Sequence, residues 1–124
     1  MQEKKFKITI KKPIDEVFTF TTNPKNTHLW VPFVDEEVAN EFPLKLGTIY
    51  KSRRKDHWNE SRVTEYKINN VFKLENKTFL VKYTYKKIKN NQTELTYLES
   101  VKQGKLTNSF TQDVLEKLKL IIET

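Results

Sequence analysis

The sequence predicts an α+β domain in which a long C-terminal helix covers a strongly curved antiparallel sheet of six to seven strands, with two short helices after the first strand. Three observations predict it. The opening segment KFKITIK alternates apolar and polar residues with the period of a half-buried strand. Residues 47–101 read almost throughout as short β segments separated by polar connections. Residues 107–123 carry a wide apolar stripe at helical spacing. With 124 residues and no Gly/Ser-rich or low-complexity stretch to serve as a linker, the whole chain, 1–124, is expected to form one domain.

In the first strand Phe6, Ile8 and Ile10 share one face, and Lys5, Lys7, Thr9 and Lys11 the other. Pro13 ends it, because its fixed φ suits the first turn of a helix, and Asp15 and Glu16 then complement the positive end of the helix dipole. Ile14, Val17, Phe18 and Thr21 form that helix's apolar face. A second short helix starts with Asn23 as N-cap and Pro24 at the first helical position, and runs to about Leu29. Trp30-Val31-Pro32-Phe33 then leads into a strand over residues 34–40, and Pro43 with Gly47 marks the turn to the next.

The segments TIYKSRR, SRVTEYKI, VFKLE, FLVKYTYKKI and TELTYLESV have the lengths of a meander. For the last hairpin a three-residue loop, Asn90-Asn91-Gln92, sets Val81, Tyr83 and Tyr85 against Val101, Glu99 and Tyr97, with Lys87 opposite Leu95. A two-residue loop would shift the pairing by one and mix Lys82 and Lys86 among apolar partners, so the pattern favours three and turns Glu99 toward the apolar face. In the closing helix Ser109 and Gln112 offer a capping box, with Thr107 and Asn108 as alternative caps. Phe110, Val114, Leu115, Leu118, Ile121 and Ile122 form its stripe, and a helix of that length spans roughly 25 Å, enough to cross a sheet.

Composition narrows the function classes. Only 36% of residues are hydrophobic, but two Trp, five Tyr and eight Phe provide large rings for a core. The net charge of +7 raises the question of nucleic acid, yet of 23 basic residues only Arg53, Arg54 and Arg62 are the Arg that base and bidentate phosphate contacts favour. Lysines alternating along strands are a solvated face, and such dispersed charge argues for solubility and against nucleic-acid binding. No run approaches the roughly 20 apolar residues of a transmembrane span, no signal-like segment opens the chain, and cysteine is absent, so a cytoplasmic protein is expected. The glycosylation patterns at Asn59, Asn76 and Asn91 read as chance matches in an Asn-rich chain. His28 and His57 are the only histidines and lack metal-site spacing, and Gly47 and Gly104 are the only glycines, too few for a phosphate loop or dinucleotide fingerprint. Neither a metal nor a cofactor is expected. Ser61 and Ser109 lack a nucleophile-elbow context.

The order of strand, two short helices, meander and terminal helix resembles the START-like helix-grip superfamily (SRPBCC), specifically its small bacterial polyketide cyclase/dehydrase and lipid-transport branch. KITIKKPIDEVFTFTTNPKNTHLW looks like that family's opening, with its Val17-Phe18 pair and with Trp30 after the second helix; LGTIY resembles the start of its third strand, SRVTEYKINNVFKLE its fourth and fifth, and VLEKLKLIIE its closing helix. The likeness extends over essentially the whole chain. It implies a cavity between sheet and helix that holds a lipid, polyketide or similar molecule, and in a minority of members cyclisation or dehydration there.

On that architecture the cavity is lined by inward strand residues, the underside of the terminal helix with Phe110 and Val114, and the short helices. Tyr50, Tyr83, Tyr85 and Tyr97 are candidate lining groups, each a flat apolar body with a hydroxyl to orient a ligand, and each equally able to pack on the helix. Trp30 and Phe33 stand at a mouth or end wall, or plug it. Trp58, in a polar stretch at a hairpin tip, suggests contact with a ligand, lid or partner. Glu99 and Arg54 are the ionisable candidates and could meet inside as a pair. A carboxylate among tyrosines would have a raised pKa and could act as a general base, which makes Glu99 the best catalytic candidate. The lead expectation is carriage of a small, largely apolar ligand by a monomer or homodimer; an enzyme of cyclase, dehydratase or isomerase type is the second. A cavity-less interaction module is the third, favoured if the interior holds no space above roughly 300 Å³.

Overall fold

The computed structural model describes residues 2–104 and 110–124. Among these, seven strands and three α-helices follow the order β1 (Gln2–Ile10), α1 (Ile14–Thr22), a 3₁₀ turn (Pro24–Asn26), α2 (Thr27–Trp30), β2 (Glu36–Ala39), β3 (Ile49–Arg54), β4 (His57–Lys67), β5 (Val71–Glu75), β6 (Phe79–Lys89), β7 (Gln92–Val101) and α3 (Gln112–Glu123). The strands form one antiparallel sheet in the order β1-β7-β6-β5-β4-β3-β2. The α+β class and the order of elements agree with the sequence reading. No described helix is long and apolar enough to cross a membrane.

Local chemistry fixes the helical insert. Thr21 and Thr22 donate to the carbonyls of Val17 and Phe18, both at 2.8 Å, which satisfies hydroxyls on the buried side of α1. Asn23 Oδ1 accepts from the Lys25 backbone N–H at 3.0 Å, the capping role expected of it, but the turn it opens is 3₁₀ before α2 begins at Thr27.

The β6–β7 hairpin differs from expectation. Its loop is the two residues Asn90 and Asn91, with Lys89 opposite Gln92 and Lys87 opposite Thr93. Ile88 is therefore the extra residue of a bulge, and it restores the face alternation that a plain two-residue loop would break. Tyr83 faces Tyr97, and Val81 faces Glu99, two positions from the register predicted. Because the offset is even, Glu99 and the tyrosines keep the apolar face. A second bulge, at Thr64, keeps Val63 and Tyr66 on the core side of β4.

The terminal helix is also corrected. It begins at Gln112 with Thr111 as an extended N-cap (φ −134°, ψ 173°) and has 12 residues, so it spans about 18 Å. Ser109, Thr107 and Asn108 of the expected caps lie outside the described residues. Phe110 is held in the core, 2% exposed, and its carbonyl accepts from Lys4 Nζ at 2.8 Å. Those two anchors fix Phe110 just ahead of the extended Thr111, so the helix starts only at Gln112. From Gln112 the helix runs along β1. Gln112 Nε2 and Lys119 Nζ donate to the Lys7 and Thr9 carbonyls at 2.9 Å each, and Glu123 Oε2 accepts the Lys11 N–H at 2.7 Å. The helix thereby covers backbone groups on an edge strand that would otherwise invite pairing. Its Val114, Leu115 and Leu118 are buried in the same core as Ile8, Ile10, Val17 and Leu95.

Candidate functional site

A cavity of about 350 Å³ opens between the sheet, the α2–β2 connection and Phe110. Inward positions of neighbouring strands line it because the register aligns them. Tyr97 faces Tyr83, and Tyr83 faces Phe72. Tyr97 and Tyr83 meet edge-on at 5.4 Å, Tyr83 lies parallel to Phe72 at 6.2 Å, and Phe72 meets Tyr50 at 5.6 Å. Val34, Leu74, Phe79, Val81 and Val101 supply the aliphatic and remaining aromatic wall.

Two carboxyl groups stand in this wall. The Tyr97 hydroxyl donates to Glu99 Oε1 at 2.6 Å, and Lys4 Nζ lies 3.9 Å from the same oxygen. Across the sheet, Glu37 on edge strand β2 accepts from Thr27 through Oε1 at 2.6 Å and from Ser52 through Oε2 at 2.5 Å. Burial pushes the Glu37 carboxyl above its ordinary pKa, and these two hydroxyl donors oppose the shift without cancelling it. The residue keeps some exposed area, as an edge-strand residue must, while its carboxyl is enclosed. Burial also raises the hydroxyl pKa values of Tyr50, Tyr83 and Tyr97, so these groups stay protonated and act only as hydrogen-bond partners.

Of the candidate residues, Phe33, Tyr50, Arg54, Tyr83, Tyr97, Glu99 and Phe110 line the cavity. Four candidates do not. Tyr85 is buried against α1, its hydroxyl 2.6 Å from that of Thr21 and its ring 4.9 Å from Phe18. Trp30 and Val114 are core residues, 1% and 4% exposed, and the Trp30 indole N–H has no partner among the described residues. Trp58 lies on β4 beside the turn at Lys55-Asp56, half exposed, with the Arg53 guanidinium 6.0 Å from its ring centre. Arg54 and Glu99 do not pair. Arg54 sits exposed at the rim, and the cation near Glu99 is Lys4. Among the described residues no group of three or more His, Cys, Asp or Glu is placed to hold a metal ion.

No protein-family model matches the chain, and no curated protein matches it. Solved structures do. A conserved protein of unknown function from Enterococcus faecalis superposes with a TM-score of 0.76 at 18% identity, covering 98% of this chain and 71% of that one. XoxI from Bacillus cereus gives 0.77 at 10% identity, covering 99% and 96%. The di-domain ARO/CYC BexL from the BE-7585A biosynthetic pathway gives 0.61 at 15% identity, covering 82% of this chain and 36% of that one. Identities this low establish a shared fold, and the fold is compatible with the helix-grip arrangement.

Sequence reasoning missed Glu37, Thr27 and Ser52 as a group. The faces alternate along Glu36-Glu37-Val38-Ala39, with Glu37 at the cavity, Ala39 against the core and Val38 41% exposed. The signal that could have found it is the register Glu37 opposite Ser52, which depends on the long connection between β2 and β3.

Proposed function

We propose that this chain, as a START-like helix-grip protein, binds or carries a small, largely apolar molecule in the cavity between the sheet, the α2–β2 connection and Phe110, the residue that leads into the terminal helix. The volume of about 350 Å³ carries the reading: it falls in the range of ligand sites, and aromatic and aliphatic side chains form much of its wall, interleaved with polar groups. The Tyr83, Tyr97, Glu99 and Phe110 cluster orients the ligand, and Arg54 guards the rim. The neighbours' fold is consistent with this role, in a cytoplasmic monomer or homodimer.

Native mass spectrometry of gently purified protein tests it. A bound small molecule is expected on the wild type and not on the cavity-filling variant Val81→Phe. Equal retention by both, or none by either after exposure to apolar metabolites, would overturn the reading.

The hydrogen bond from Tyr97 to Glu99 favours a second reading, in which Glu99 acts as general base in a cyclisation, dehydration or isomerisation. Glu99→Gln would then abolish turnover and leave ligand affinity nearly unchanged.

A further inference from the structure

The polar groups of the cavity divide by depth. Arg54, Asn59, Thr78 and Gln103 are exposed and belong to the rim. Deeper in, most hydroxyl protons are already committed to protein acceptors; half-buried Ser61 accepts from Asn76 Nδ2 at 3.4 Å and keeps its own proton. Thr27 and Ser52 donate to Glu37, Tyr50 donates to the Thr22 carbonyl at 2.5 Å, and Tyr97 donates to Glu99. A hydroxyl that has given its one proton offers a ligand only lone pairs. The Tyr83 hydroxyl makes no hydrogen bond to a described residue, and at the cavity wall it can act either way. Glu99, only 9% exposed, uses Oε1 for Tyr97 and Lys4, while its Oε2 accepts no hydrogen bond among the described residues. Arg53, the other cation in the lining, is turned to Glu36 at 3.2 Å and to the Lys55 carbonyl at 2.6 Å. The interior is thus rich in acceptors and poor in donors.

We infer that the ligand is an amphiphile whose polar head is a hydrogen-bond donor, a hydroxyl or an ammonium group on an apolar body, with that head directed to Glu99 Oε2, and that the site rejects carboxylates. This rests on the binding function proposed above and names its ligand class. The physics is asymmetric. A donor head fills a vacant lone pair on a carboxylate out of bulk water, where charge-assisted hydrogen bonds are strong. A carboxylate head would meet two carboxyls and find free hydroxyl protons only on Tyr83 and Ser61, so its desolvation would be poorly compensated. The exposed Arg54 repays little of this, because an ion pair in water is weak.

A head-group series on one chain provides the test: decylamine, 1-decanol and decanoate, each displacing the uncharged fluorophore N-phenyl-1-naphthylamine at neutral pH. Decylamine and 1-decanol are expected to bind about tenfold or more tighter than decanoate. The protein's net charge of +7 would bias any unspecific surface association the other way, toward decanoate, so a preference for the amine must come from the site. Decylamine ahead of 1-decanol identifies the ammonium as the recognised head, and parity identifies the hydroxyl. In Glu99→Gln the gap between decylamine and decanoate should close about tenfold while 1-decanol still binds, which shows that the variant is folded. Decanoate binding as tightly as the other two to wild type overturns the inference and leaves the binding function standing. Failure of all three to displace the probe overturns both.

Discussion

Phe110 lies flat on Tyr97, with ring centroids 3.6 Å apart and planes inclined by 5°. Through this contact the segment entering α3 is fastened to β7 at the cavity wall, and the Trp30 ring closes on the same phenyl group edge-on at 6.1 Å. Phe110→Ala is expected to cost about 3–5 kcal/mol of stability in urea denaturation, because it removes a buried ring whose neighbours are fixed by strands. The variant should also enlarge the cavity and weaken ligand binding. A loss below about 1 kcal/mol would show that the stack does not hold the helix in place.

The two sides of α3 should respond differently. Leu118 is fully buried and Leu120 is 66% exposed. Leu118→Ala is expected to cost about 2–5 kcal/mol, and Leu120→Ala to fall within about 0.5 kcal/mol of wild type. Thermal and urea midpoints measured on both variants check the contrast.

Tyr85→Phe separates packing from ligand contact. The hydroxyl bonds Thr21, and the residue does not line the cavity. Stability should fall by about 0.5–1.5 kcal/mol with ligand affinity unchanged. Tyr97→Phe is expected to weaken binding instead, since it removes the donor to Glu99 in the cavity wall.

Glu37 gives a pH signature. Its folded pKa lies above the ordinary value of 4.5 because burial disfavours the charged form. The folded state therefore holds its proton to higher pH than the unfolded chain, and folding stability declines as pH rises from about 4.5 through the raised folded value. Glu37→Gln removes that term, so its melting temperature relative to wild type should increase from acidic to neutral pH. A constant difference across that range would contradict the enclosed carboxyl.

The hairpin prediction is a deletion. Removing Ile88, which is 44% exposed, leaves Lys89 opposite Gln92 with no bulge and every inward residue in place. Stability should change by less than about 1 kcal/mol. Removing Asn91 instead eliminates half of the turn and should be far more disruptive, as circular dichroism melts of the two variants would report.

That hairpin shows what was legible in the chain. Alternation along FLVKYTYKKI and TELTYLESV fixes which residues face inward, so the inward placement of Tyr83, Tyr97 and Glu99 could be read from the sequence. It does not fix how many residues the loop and a bulge divide between them, because both solutions present the same faces. The apolar stripe Val114, Leu115, Leu118 likewise identified the buried side of α3. The start of the helix depends on Phe110 stacking on Tyr97, a tertiary contact that local propensity cannot register. Tyr85 and Tyr83 have the same sequence pattern, and only the position of α1 over one of them makes it core. Glu37 was hidden because the inward face of β2 is set by its pairing with β3, which the short local pattern Glu36-Glu37-Val38-Ala39 does not fix.

Methyl-resolved NMR with saturating 1-decanol addresses the central claim most directly. Shifts concentrated on Leu74, Val81 and Val101, with the deeply buried Leu95 and Leu118 and the exposed Leu46 and Leu120 nearly unmoved, are the predicted result. Shifts confined to Leu46 and Leu120, or none anywhere, would contradict a ligand held in the cavity beneath the α2–β2 connection and Phe110.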